Sequence, residues 1–128
     1  MQLSIPETSF CPQRWDECIS QGSTWSRVLR FGQPIGAEVQ FRGSIASRPG
    51  APILARYQTE VLDAHRIAVS LTAEETALLP ARELAHDLEA FIPGEGEAEE
   101  WVQRVAEGRV SVSGRVSVSG RVVQPDPV

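Results

Sequence analysis

The chain has 128 residues, 41% hydrophobic and 23% charged, the size and balance of one folded domain rather than a disordered segment. Twelve basic residues, all arginine, stand against 17 acidic ones for a formal charge of −5, and no basic stripe is present, so nucleic-acid binding is not expected. No apolar run approaches the ~20 residues that span a bilayer, and the opening residues lack the basic and apolar regions of a secretion signal, so neither a membrane protein nor an exported one is expected.

Residues 1–15 contain Pro6 and Pro12 and no sustained period, which predicts an extended arm. Period-2 alternation then takes over. Trp25, Leu29 and Phe31 share one side of residues 23–31, with Arg27 as an intruder. Ala37, Val39, Phe41 and Ile45 share a face across 37–45, and Arg48-Pro49-Gly50 supplies a turn. Residues 53–61 alternate again, with Ile53, Ala55, Tyr57 and Val61 on the apolar side; Ile67, Val69 and Leu71 form a fourth segment. Such one-sided strands belong to antiparallel sheets with one wet face.

Thr72-Ala73-Glu74-Glu75 matches a capping box, and Pro80 limits the helix that follows to residues 73–79. Residues 83–92 fit two periods. Leu84, Leu88 and Phe91 suit a helix, whereas Leu84, His86, Leu88, Ala90 and Ile92 suit a strand; propensity alone favours the helix. Pro93-Gly94-Glu95-Gly96 predicts a turn, and the alternating run from Trp101 completes a hairpin. From 108 to 122 the chain reads Gly-Arg-Val-Ser-Val-Ser twice, then Gly-Arg-Val. A period of six keeps every valine on one face. Fifteen extended residues reach ~50 Å, more than typical strands, so either Gly114 bends the run or its end leaves the domain.

Chemistry-bearing patterns are sparse. Asp63, His65, His86 and Asp87 have no zinc-ligand spacing, and the better reading is a turn Asp, a surface His and a core-edge His86. No G-x-S-x-G occurs, and Cys11 and Cys18 define no disulfide framework and are expected to be reduced. The glycines at 94 and 96 are ringed by glutamates that repel an anion. No catalytic residue, metal or cofactor is expected. Interaction is what remains. Trp15, Trp25 and Trp101 all suit a core, but Trp15 falls in the irregular arm and is expected to anchor in a neighbouring molecule. The valine-lined terminal ribbon is an edge hazard that an assembling protein can use by adding it to a partner's sheet.

Several phrases together resemble a family of tailed-phage virion proteins with an immunoglobulin-like β-sandwich, similar to the N-terminal domain of phage baseplate upper proteins. They are Gln21-Gly22-Ser23-Thr24-Trp25, Gly32-Gln33-Pro34-Ile35, residues 71–77 (Leu-Thr-Ala-Glu-Glu-Thr-Ala), His86-Asp87-Leu88-Glu89 and residues 107–112 (Glu-Gly-Arg-Val-Ser-Val). The likeness runs from Ile19 to Val118 and implies a strand at 83–92. His86 stands where the family has an aromatic residue, and the duplicated repeat and N-terminal arm are additions.

The expectation is an all-β, immunoglobulin-like antiparallel sandwich with one short helix, made of an arm at 1–15, the sandwich at 16–113, and a terminal strand repeat and tail at 114–128. The resemblance implies a non-enzymatic structural component of a virion, present in many copies, docking to other virion proteins in the tail or baseplate. A capsid decoration protein and a carbohydrate-binding module for the host surface are the alternatives. The residues expected at the interface are Trp15, Arg115, Val116, Val118, Arg121 and Val122.

Overall fold

The structure is a computed structural model and describes residues 2–5, 12–94 and 100–114. In chain order the elements are β1 (Gln2–Ile5), β2 (Gln13–Arg14), β3 (Glu17–Ser20), β4 (Trp25–Phe31), β5 (Gln40–Ala46), β6 (Ile53–Arg56), β7 (Gln58–Asp63), β8 (Arg66–Leu71), α1 (Ala73–Ala77), β9 (Glu83–Ile92) and β10 (Trp101–Ser113). Two sheets face each other. One has the order β1-β4-β8-β7; the other runs β2-β10-β9-β5-β6, with β3 also on β10. The order β1-β4-β8-β7 opposite β10-β9-β5 is that of strands A-B-E-D opposite G-F-C in an immunoglobulin-type sandwich. The N-terminal strands depart from the antiparallel rule: β1 runs parallel to β4, and β2 and β3 run parallel to β10.

Alternation explains most of the core. Ile67, Val69 and Leu71 of β8 are buried, as are Leu84, His86, Leu88 and Ala90 of β9. Each fully buried aliphatic side chain contributes about 1.5–3 kcal/mol relative to exposure. That sum decides residues 83–92 in favour of strand: a helix would bury only one stripe, whereas the strand buries four side chains between partners on both sides.

The expected strand over 53–61 is two strands. β6 pairs with β5 in one sheet and β7 pairs with β8 in the other, so the chain changes sheets at Tyr57. The crossing is held by the Tyr57 amide, which donates to the Gly43 carbonyl at 2.9 Å. A Cβ at Gly43 would lie 2.8 Å from Tyr57 Cδ2 and 2.9 Å from the Asp87 carbonyl oxygen, so only glycine lets the tyrosine lie flat there. Because the crossing puts both strands on sandwich edges, Ile53 and Val61, expected inward, are half exposed. The helix forms as its cap predicts, with Thr72 Oγ1 accepting from the Glu75 amide and Glu75 Oε1 from the Thr72 amide.

Candidate functional site

The N-terminal stretch is drawn into the sandwich where it is described. Trp15, expected to anchor in a neighbour, is 1% exposed and packs within its own subunit. The reason is its flanks: β2 and β3 both pair with β10, and the Trp15 amide donates to the Glu107 carbonyl, which leaves the indole no route but inward. Its ring stacks on His86 at 4.0 Å between centroids and lies 5.6 Å from Tyr57. The other expected interface residues, Arg115, Val116, Val118, Arg121 and Val122, lie outside the described residues.

Around Trp15 the core is polar. His86 sits between two partners, with Nε2 2.6 Å from the Trp15 carbonyl oxygen and Nδ1 2.7 Å from Tyr57 Oη. A carbonyl only accepts, so the proton is assigned to Nε2, and Tyr57 donates its hydroxyl hydrogen to Nδ1. Burial lowers the His86 pKa to about 4; the Trp15 carbonyl and the Asp16 carboxylate pull upward without offsetting it. Burial likewise pushes the Tyr57 hydroxyl well above its ordinary value, with the Glu17 and Asp87 carboxylates adding to it. The imidazole is therefore neutral at pH 7 and works as a clip between Trp15, on the N-terminal segment, and Tyr57, at the sheet crossing.

A second clip lies beside it. The Trp15 indole N–H donates to Glu17 Oε2, and Glu17 Oε1 accepts from Arg27 Nε, each at 2.9 Å. Arg27 also lies over the Trp25 ring, 5.1 Å from its centroid. Thus the intruding Arg27 on the inward face of β4 answers a buried carboxylate on β3, in the opposite sheet. Sequence reading flagged the arginine and missed the glutamate; a search for an acidic residue at an inward position of another strand would have found it.

The wet face of the β10-β9-β5-β6 sheet carries an open groove of about 730 Å³, lined by Arg14, Arg48, Arg104 and Arg109 with Asp87 and Glu107, and by Pro49 and Ile53. Its charges are largely answered in place. Arg104 reaches Asp87 at 3.6 Å and Glu107 at 3.4 Å, Arg109 reaches Glu83 at 3.1 Å, and Arg14 reaches Asp16 at 2.8 Å. Burial raises the Asp87 carboxyl, and Arg104 opposes it. Ser44 Oγ touches Asp87 only at 3.4 Å, and the imidazole of the adjacent His86 is on the core side, so the groove assembles no serine–histidine pair. Among the described residues no group of three or more His, Cys, Asp and Glu could hold a metal ion.

Asp63 ends β7 and braces the turn that follows it. Its Oδ1 accepts from the His65 amide at 2.9 Å and its Oδ2 from Arg66 Nε at 2.8 Å, which holds the carboxyl below its usual range. The remaining feature is apolar. Ile53 and Leu54 on β6, Val61 and Leu62 on β7, and Trp101 and Val102 at the start of β10 are all exposed by 41–50%. The first four lie on two outer strands of the same sandwich edge, whose backbone is paired on one side only among the described residues. Trp101 is thus a surface residue, not the core residue its type suggested. No protein-family model matches the chain, and no curated protein matches it.

Proposed function

We propose that this chain is a non-enzymatic structural module of a tailed-phage particle, docking to neighbouring copies or to other virion proteins, in the tail or baseplate. The sequence phrases shared with phage β-sandwich proteins motivate the virion assignment. One structural observation supports the docking: β10 carries the first repeat unit to Ser113 inside its own sheet, and the chain then spells the same strand-forming unit again. Among the described residues the first copy supplies Val110 and Val112 to the core. The half-exposed edge at β6 and β7 offers a surface on which such a unit can add a strand.

The test is a chain ending at Gly114, which keeps every described strand. It is expected to fold as a monomer with an unchanged melting transition and to fail to enter particles when supplied in place of the full chain. Normal incorporation overturns the docking proposal, and a protein census of separated heads and tails decides between tail and capsid.

A further inference from the structure

β10 sits in a slot that one position makes selective for glycine. A Cβ at Gly108 would lie 2.1 Å from the Trp15 carbonyl oxygen and 2.7 Å from the carbonyl carbon, backbone atoms fixed by the burial of Trp15. Around it, Val110 and Val112 point into the core, while Arg109 pairs with Glu83 at 3.1 Å and its amide donates to Asp16 Oδ1 at 3.0 Å. Gly114 is different. A Cβ there would meet Ala81 Cβ at 3.5 Å and Gln21 Oε1 at 3.7 Å, which is ordinary contact, and its φ is not positive. Among the described residues neither space nor a positive φ asks for glycine at 114, yet residues 114–119 repeat residues 108–113 letter for letter.

We infer that β10 has two registers six residues apart, and that hexad 114–119 is a second strand competent to fill the slot of hexad 108–113. A shift by an even number puts each of residues 114–119 on the face of its counterpart in 108–113, whereas Gly108, Arg109 and Val110 pass the bulge between Arg104 and Ala106 and change face. Gly114 then lies against the Trp15 carbonyl, Arg115 opposite Glu83, and Val116 and Val118 where Val110 and Val112 were. The ladder bonds to β9 and β3 join backbone groups and do not depend on which hexad supplies them. The connection between β9 and β10 grows from the eight residues 93–100 by six, a change that loop-closure entropy penalises little.

The two registers differ where hexad 108–113 takes over the places of residues 102–107. There Val112 replaces the fully buried Ala106 opposite Leu88, and Val110 replaces Arg104, which loses Asp87. Overpacking at Ala106 makes the described register the ground state. A third register is closed: the next shift puts Gln124 in the buried place of Val112 and Pro125 in that of Ser113, inside the ladder. The slip draws the carboxyl-terminal segment inward by about 20 Å and feeds that length into the hairpin at the strand's other end.

Gly108→Val separates the registers in the full-length chain, because in the slipped register the new side chain falls at the exposed place of Val102. G108V is expected to fold cooperatively with a Tm lowered by on the order of 10 °C, and G114V to melt with the parent. The double variant G108V/G114V is expected to be unfolded. Cys18 on β3 stands opposite Ser111 in the described register and opposite position 117 in the slipped one. In a Cys11→Ser background, therefore, Ser117→Cys should form an intramolecular disulfide with Cys18 under mild oxidation when Gly108→Val is present, seen as a faster band without reductant. The inference fails if G108V is as unfolded as the double variant, if the double variant folds, or if folded G108V does not form that disulfide.

Discussion

At the scale of single residues, His86 decides how acid affects the fold. Its pKa falls from an ordinary 6.5 to about 4 because burial penalises the imidazolium. The unfolded chain therefore takes up the proton more readily. The stability that neutral His86 contributes is whole above pH 6.5 and is lost as pH falls from 6.5 towards 4, by about 3 kcal/mol in all. Asp87, whose carboxyl burial raises, acts in the opposite sense, and Asp16 and Asp63, held low by hydrogen bonds, act only below their ordinary 3.8. Urea unfolding at pH 7, 6, 5 and 4 should show this loss, and His86→Gln should be weaker at pH 7 yet nearly flat over the same range. A parent slope equal to that of the variant rejects the assignment. Protonation would also put a hydrogen on Nδ1, opposite the hydroxyl hydrogen that Tyr57 now donates, so the sheet crossing is where acid strain enters.

At the scale of elements, the short helix and its cap are local and the strand changes are not. α1 has five residues and owes its first turn to Thr72 and Glu75. Thr72→Ala is expected to lower stability by about 1 kcal/mol, read as a lower urea midpoint at unchanged slope. The helix is nonetheless tied into the core, because Thr76 is fully buried and its hydroxyl donates to the Ser23 carbonyl at 2.9 Å. The chain between residues 53 and 63 is governed otherwise. Its alternation reads as one strand, but Gly43 and the Tyr57 amide turn it from one sheet into the other. Periodicity carries no information about which sheet a strand joins, so that break was invisible until the partner strands were in place.

At the scale of the whole molecule, β6 and β7 form an edge with four half-exposed aliphatic side chains on a chain that is otherwise net acidic. Val61→Lys with Ile53→Lys should leave the monomer's stability within about 0.5 kcal/mol of the parent, since neither side chain is buried. If this edge is a docking surface, the same pair should shift light-scattering mass at high protein concentration from associated species to monomer. A parent that is already monomeric at every concentration tested rejects self-docking at this edge. The arginine-lined groove on the other sheet face is less suited to hold an anion, because Asp87, Glu107, Glu83 and Asp16 already engage three of its guanidinium groups.

The sequence alone determined what depends on near neighbours in the chain: the alternating strands, the capping box at Thr72, the turn at Asp63 and the inward valines of the first repeat unit. It left residues 83–92 open between helix and strand, because both periods fit Leu84 and Leu88; two flanking strands settled the matter by burying four side chains at once. It misplaced Trp15, because a proline-containing stretch without a period reads as loose, whereas β10 pairs with the strands on both sides of Trp15 and turns its indole inward. The clips that join distant segments, His86 between Trp15 and Tyr57 and Glu17 between Trp15 and Arg27, follow only from tertiary structure. Each links residues from different strands, and the burial that makes each hydrogen bond necessary exists only once the two sheets have closed on one another.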